Sequence, residues 1–407
     1  MWGRGPIVAT QTIRHIKPAS GSSRAPQLDY PLLIVVGVLA AIGLMMVYST
    51  TFDWGYQQFG EPTYFVLRQT LWLLLGIGAL WAATRMDYAV LRRFSIPLLG
   101  LGLALLVAVL LFGQEVLGAQ RAFLNGSIQP SELVKLITVI YIADWLASKG
   151  EKIRDVSYGL IPFAVLIGII AGLIVLQPDF GTTIVIVLVA GMMFFLAGAD
   201  LLQMVIGLLV SGGTLLALIV NSPYAQERIN SYVAGLQDPG QASYQLQQAL
   251  IAIGSGGITG QGPGASHQKF GYLPVPHTDS VFAVLGEELG LIGGLAVLAL
   301  FAFLAYRGFR IALHAPDSFG MLAAAGVTLW IVTEALINIA VITGTLPLTG
   351  IPLPFISYGG SSLVSLMTAV GLLQSVARSS RKGLTRSALM DRKRRNGRPR
   401  LSRIGRR

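Results

Sequence analysis

The chain contains no cysteine, so no disulfide, thiol nucleophile, iron–sulfur cluster or thiolate zinc site can be built from it. Charge is scarce as well. Only 12% of the 407 residues are Asp, Glu, Lys or Arg and 53% are hydrophobic, against roughly 25% charge in soluble domains, which excludes a soluble globular protein. The four histidines, His15, His267, His277 and His314, include no i, i+4 pair, and no metal centre built on histidine is expected. Runs that alternate apolar and polar residues are absent, which excludes an outer-membrane barrel. Residues 1–27 are polar, with Arg4, Arg14, Lys17 and Arg24, and lack the short apolar core and small-residue cleavage site of a signal peptide. The first helix is therefore expected to remain in the mature chain.

What is present is a series of ten apolar stretches, near 31–49, 66–84, 95–113, 131–147, 158–176, 182–198, 201–220, 280–305, 319–343 and 360–378. Each is long enough to cross the hydrocarbon core as a helix, at about 20 residues and 1.5 Å per residue. The expected fold is an all-α polytopic membrane protein: a cytoplasmic tail (1–30), a bundle of about ten transmembrane helices (31–378), and a basic cytoplasmic tail (379–407). Of the 30 Lys and Arg, all but Arg68, Arg121, Lys135, Arg228 and Lys269 fall on one face if the chain starts in the cytoplasm. The positive-inside rule then puts both termini in the cytoplasm. Such a protein belongs in the cytoplasmic (inner) membrane. The terminal basic run, Arg392-Lys393-Arg394-Arg395 onward, is expected to sit on anionic membrane lipids or in solvent rather than on nucleic acid.

Most connections are short, but residues 221–279 form one long extracytoplasmic loop, and loops of that length in compact folds usually have a function. Within it, residues 244–253 place Leu246, Ala249, Leu250 and Ile253 on one helical face, the pattern of an interfacial helix lying along the membrane. The glycine-rich run that follows, Gly254-Ser255-Gly256-Gly257 to Gly264, lacks the flanking strand and helix of a phosphate loop and reads as a flexible or tightly turned re-entrant segment.

Ionisable groups at membrane depth are costly and mark either a function or a paired structural site. Glu132 and Lys135 stand at i and i+3 behind Gln129-Pro130-Ser131, so they can pair; a packing salt bridge and a site role are equally open. Asp179, in Gln177-Pro178-Asp179-Phe180-Gly181-Thr182, is either an N-cap or part of a site. Asp279, in His277-Thr278-Asp279, has the same two readings at the mouth of the eighth span, with Glu287 and Glu288 two turns further in. An uncharged loop, 350–362, precedes the last span and includes Ser357. The charge-derived topology puts all four segments on the outer face. A pocket built from them suits base-assisted transfer on an anionic substrate, and equally a substrate channel.

Five motifs in this order, Gln129-Pro130-Ser131-Glu132, Gln177 to Thr182, His277-Thr278-Asp279, Gly286-Glu287-Glu288-Leu289-Gly290 and Ile356 to Ser362, resemble the SEDS family of FtsW, RodA and SpoVE over about residues 30–378. The loop Gly262 to Pro274, with Ser266-His267-Gln268-Lys269 before Tyr272-Leu273-Pro274, is similar to its FtsW branch. The resemblance implies a peptidoglycan glycosyltransferase that polymerises lipid II into a nascent glycan strand, in cell division. Its implied partners are an FtsI-like class B penicillin-binding protein and other division proteins. A lipid II flippase, or a RodA-like role in elongation, is the alternative.

Carried over residue by residue, Asp279 matches the family's essential aspartate, the catalytic candidate. Glu132, Lys135 and Arg121 match its helix-four pair and an Arg-Trp-Ile segment, although Ala122-Phe123 replace Trp-Ile here. Val275 replaces a common acidic residue and Ser280 a common aromatic. Asp279 is expected to act as general base, with Arg68, Arg121, Lys135 and Lys269 supplying positive charge to the pyrophosphate. Glu132, His277 and Ser357 complete the expected substrate-binding set, and Asp179, Glu287 and Glu288 support it. A divalent cation could share the load, but no ligand constellation demands one.

Overall fold

Residues 28–116, 119–123 and 128–396 are described here from a computed structural model. Most of the expected N-terminal tail, and residues 397–407 of the basic tail, lie outside the described residues. The elements are helices α1 (Tyr30–Phe59), α2 (Tyr64–Arg85), α3 (Tyr88–Arg93) and α4 (Ser95–Phe112), a hairpin of β1 (Gln114–Val116) and β2 (Ala119–Ala122), then helices α5 (Pro130–Lys149), α6 (Ile161–Val175), α7 (Phe180–Leu196), α8 (Leu201–Asn221), α9 (Pro223–Gln237), α10 (Tyr244–Gly256), α11 (Val281–Leu313), α12 (Ser318–Ile342) and α13 (Gly360–Asn396).

Each of the ten apolar stretches is a helix: α1, α2, α4 to α8 and α11 to α13. Eight are long and apolar enough to cross a membrane by length and composition alone, α6 when joined to the π-helical turn Val156–Leu160 that leads into it. The other two are α7, with 17 residues, and α5, which carries Glu132, Lys135, Asp144 and Lys149. Helix starts follow local chemistry. Asp29, Asp179, Ser222 and Asp317 accept backbone N–H groups at the heads of α1, α7, α9 and α12, and prolines sit in the first turns of α1, α5 and α9, where a missing N–H costs nothing.

The buried centre is α12 and α13, whereas α8 stands at the rim with little of its surface covered. α12 packs on α5, α7 and α11, and α13 packs chiefly on α2. The last helix runs on past 378 to Asn396, so the basic tail begins as helix. α9 was not expected; its Ser222-Pro223 head is a cap-and-first-turn pair that marks a helix start.

The helix over 244–256 is present and packs on α11. α10 runs beside the first half of α11: Gln245 Nε2 donates to Ser280 Oγ at 3.0 Å, and eleven positions on, Gly256 meets the Gly286 carbonyl. Leu246, Ala249 and Ala252 are buried, while Leu250 is exposed. The chain then turns at the level of Gly290, about 15 Å along α11 from its start. α11 itself breaks there, since Gly290 has φ 67°. The backbone groups freed by the break bond to the turn: Leu291 N–H to the Gly257 carbonyl at 2.9 Å, Ile292 N–H to Ile258 at 3.2 Å, and Gly262 N–H to the Glu288 carbonyl at 3.0 Å. Irregular backbone at this depth survives because the protein itself satisfies it. A β-carbon on Gly260 would stand 2.2 Å from the Glu288 carbonyl oxygen, and one on Gly290 2.3 Å from Gly260 N. The glycine-rich run is thus a tightly turned re-entrant segment whose glycines let two backbones cross.

Candidate active site

At the end of the bundle where α2, α5, α7, α11 and α13 begin lies a cavity of about 820 Å³. Of the residues singled out in the sequence, Asp279, Arg68, Glu132 and Asp179 line it, as do Lys269, His277 and Ser357. Five segments spread from Arg68 to Ser357 are thereby brought to one cavity. Lys135, Glu287 and Glu288 sit behind its wall. The side chain of Arg121 lies outside the described residues; its neighbour Ala122 lines the cavity.

Asp279 is presented by a stretch of backbone that is held from behind. Asn338 Nδ2 donates to the Asp279 carbonyl at 2.9 Å and to the Ile351 carbonyl at 2.7 Å. Tyr358 N–H donates to the His277 carbonyl at 2.8 Å, and Ser357 Oγ donates to the Thr278 carbonyl at 2.6 Å. Ser357 therefore positions the aspartate segment, and its own Oγ accepts from Leu353 N–H at 2.8 Å. The N-cap position of α11 is Ser280, whose side chain makes no cap bond, so capping by that residue is not realised. For Asp179 it is: Oδ1 accepts from Thr182 N–H at 3.0 Å and Oδ2 from Thr182 Oγ1 at 2.9 Å, and Gln129 Nε2 adds a third bond at 3.3 Å.

The imidazole of His277 packs between Trp54, at 4.8 Å between ring centroids, Phe65 and Tyr358. Burial lowers its pKa to about 4, so the ring is neutral at physiological pH. Burial also raises the Tyr358 phenol above its ordinary value, with the Arg68 charge opposing. Among the described residues, three that are not glycine have positive φ: Pro178, Val275 and Phe355. Val275 and Phe355 line the cavity and Pro178 adjoins Asp179, so backbone strain collects at this site.

The expected supply of lysine charge is redirected. Lys269 Nζ donates to Glu288 Oε1 at 3.0 Å, Ser49 Oγ at 2.8 Å and the Gly264 carbonyl at 2.7 Å, with its side chain almost wholly buried. Glu287 receives Ser266 Oγ at 2.5 Å, His267 N–H at 3.0 Å and Gln268 N–H at 3.3 Å. The Ser266-to-Lys269 run is thus clamped onto Glu287-Glu288. Lys135 pairs with Glu132 at 2.9 Å and with Glu334, a carboxylate the sequence reading missed. Its signal was present, because Glu334 is the sole ionisable side chain within α12. Arg68 lines the cavity, as do residues of the first turns of α5, α7 and α13, and helix N-termini attract anions. Among the described residues no group of three or more His, Cys, Asp or Glu is placed to hold a metal ion.

A family model described as cell cycle protein, covering FtsW, RodA and SpoVE, matches residues 30–382. The chain belongs to this family. Stage V sporulation protein E of Bacillus subtilis is 40% identical over 87% of the chain and 98% of its own length. A probable peptidoglycan glycosyltransferase FtsW of Trichlorobacter lovleyi is 39% identical over 87% of the chain and 94% of its own length. Among solved structures, a chain of a peptidoglycan synthase complex that coordinates polymerization and crosslinking superposes with TM-score 0.71 at 28% identity, covering 87% of this chain and 98% of that one. The rod shape determining protein RodA of Thermus thermophilus gives TM-score 0.64, also at 28% identity, over 87% of this chain and 97% of its own. The polytopic all-α fold is thus the family's fold.

Proposed function

We propose that this protein is a peptidoglycan glycosyltransferase of the FtsW type, polymerising lipid II on the outer face of the cytoplasmic membrane during division. The observation that carries the reading is Asp279 on the wall of the cavity, its main-chain segment fixed by Asn338, Ser357 and Tyr358. In the reaction a sugar hydroxyl of the acceptor attacks the anomeric carbon of the donor. The new C–O bond forms as the bond to the lipid pyrophosphate breaks, and the hydroxyl proton passes to the Asp279 carboxylate. Arg68 and the converging helix N-termini receive the developing pyrophosphate charge, with Arg121 as a further donor. Glu132 and Asp179 shape the floor through Lys135 and Thr182, and neutral His277 with Trp54 presents an apolar wall.

The family names and the synthase-complex neighbour support a class B penicillin-binding protein as partner, packed on the bundle and biasing the outer loop toward its active arrangement. The arginine and lysine distribution supports cytoplasmic termini, and the basic tail of α13 suits an anionic lipid surface. A lipid-precursor transporter is the second reading, favoured by the break in α11 at Gly290, since transporters use discontinuous helices. Purified protein incubated with labelled lipid II, with and without a cognate partner, separates them. Polymer that grows with the parent chain and is lost in Asp279→Asn supports the transferase; near-normal polymer from that variant refutes the general-base assignment, and no polymer under any condition favours transport.

A further inference from the structure

Behind the cavity floor, Lys135 Nζ stands between two carboxylates, Glu132 Oε1 at 2.9 Å and Glu334 Oε1. All three residues are buried, with exposures of 3% for Glu132, 2% for Lys135 and 1% for Glu334. The third side of the ammonium faces Trp330, 5.5 Å from the ring centroid. Glu132 Oε2 and Glu334 Oε2 are both buried and have no hydrogen-bond partner among the described residues, and the neighbouring hydroxyls of Ser131 and Thr138 are likewise unmatched.

The charges do not balance. With every group ionised the triad would carry one net negative charge, with half its carboxylate oxygens unpaired, in the interior of a membrane bundle. Such a charge is expensive there unless a cation or a proton cancels it. Among the described residues, α4, α7 and α12 carry no Lys or Arg, and Arg68 lines the same cavity as Glu132. α4 and α7, packed on α5, carry no titratable side chain at all. On α12, Glu334 is alone. Further along α5, Asp144 is engaged by Arg92 and Ser95 at the opposite end, and Tyr141 contributes no positive charge. On α11, Glu287 is bonded by the 266–269 loop, Glu288 is charge-balanced by Lys269 through Oε1 although its Oε2 is unmatched, Arg307 pairs with Asp29, and Arg310 lies in the last turn of the helix. Over residues 360–380, α13 contributes Arg378, eighteen positions beyond its start, where it bonds the Arg85 carbonyl.

We propose that the Glu132–Lys135–Glu334 triad is a proton-binding site that holds one proton at neutral pH, shared by the two carboxyl groups. Glu132 also lines the cavity, so the proton exchanges with the cavity side. Occupancy of the site sets the charge of the cavity floor. On the reading that the cavity receives a lipid-linked pyrophosphate, loss of the proton adds a negative charge where an anion must bind, and pyrophosphate binding is weakened as pH rises.

The test does not depend on that reading. Infrared difference spectra of the full chain carrying ¹³C-labelled glutamate report the C=O stretch of protonated carboxyl groups directly. Parent protein at neutral pH should show a band equivalent to one protonated glutamate per chain. Glu334→Gln and Glu132→Gln should each abolish it, because either leaves one carboxylate facing one ammonium. Glu287→Gln, outside the triad, should leave it intact. Absence of the band in the parent chain overturns the proposal, and this measurement needs no variant to fold. A band that survives in either triad variant, or that vanishes in Glu287→Gln alone, also overturns it. Failure of lipid II polymerisation bears on the transferase reading only and leaves these spectra unaffected.

Discussion

Replacing Lys269 by methionine separates a cation that binds substrate from one that holds the loop in place. The ammonium makes bonds of 2.7 to 3.0 Å to Gly264, Ser49 and Glu288, and both members of the ion pair are buried. Lys269→Met would leave Glu288 charged, buried and uncompensated, which typically costs about 3 to 5 kcal/mol. At about 1.4 kcal/mol per factor of ten, the unfolded population rises by roughly a hundred- to a few thousandfold. Removing both charges, as in Lys269→Met with Glu288→Met, should recover most of the loss, because apolar replacement of a whole buried pair is often neutral or stabilising. Ser49 then keeps only the smaller penalty of a lost acceptor, about 1 kcal/mol. The assay is the thermal inactivation half-life in detergent, compared for parent, single and double variants at one temperature. A single variant as stable as the parent, with an elevated KM for lipid II, would refute the clamp and return Lys269 to substrate binding.

Other outcomes follow from the same geometry. Because the folded pKa of His277 is lowered to about 4 from an ordinary value near 6.5, the unfolded chain binds the extra proton first. Its contribution is intact above pH ~6.5 and is lost as pH falls toward 4, by at most about 3 kcal/mol; the difference in stability between parent and His277→Phe should therefore slope only in that window, and a flat difference would contradict the buried neutral ring. Gly290→Ala places a β-carbon 2.3 Å from Gly260 N at positive φ, so expression or thermal stability should fall sharply, whereas Gly168→Ala, with open space around its site, should be tolerated. For topology, Ser243→Cys and Ser387→Cys in this cysteine-free chain should react oppositely with an impermeant thiol reagent in intact cells; reaction at position 387 alone would invert the orientation.

The spans were legible because a helix in lipid needs only a long apolar run, and every such run became a helix. Local pairs were legible too: Glu132 and Lys135 at i and i+3, and the Asp179 cap. What periodicity does not encode is what a face packs against. The α10 pattern names a face, and its close approach to α11 depends on Gly256 and Gly260, whose missing side chains admit Gly286 and Glu288. Partners distant in sequence were equally hidden. Lys269 finds Ser49, 220 positions away, and Lys135 finds Glu334, 199 positions away, so two lysines that look available for substrate are already taken.

At the end of the bundle opposite the cavity, Asp29 exchanges two hydrogen bonds with Gln374, at 2.7 and 3.0 Å, and pairs with Arg307. This clasp has a bearing on biogenesis. Its two halves lie 345 residues apart, which at about 5 to 20 residues per second means that the first helix waits roughly 20 to 70 s for the last to be synthesised. During that interval the nascent bundle is an open ring, its polar clasp unmet. A chaperone or insertase that shelters Asp29, or a truncation that ends before Gln374, would act on this late ring closure and on no earlier step of assembly.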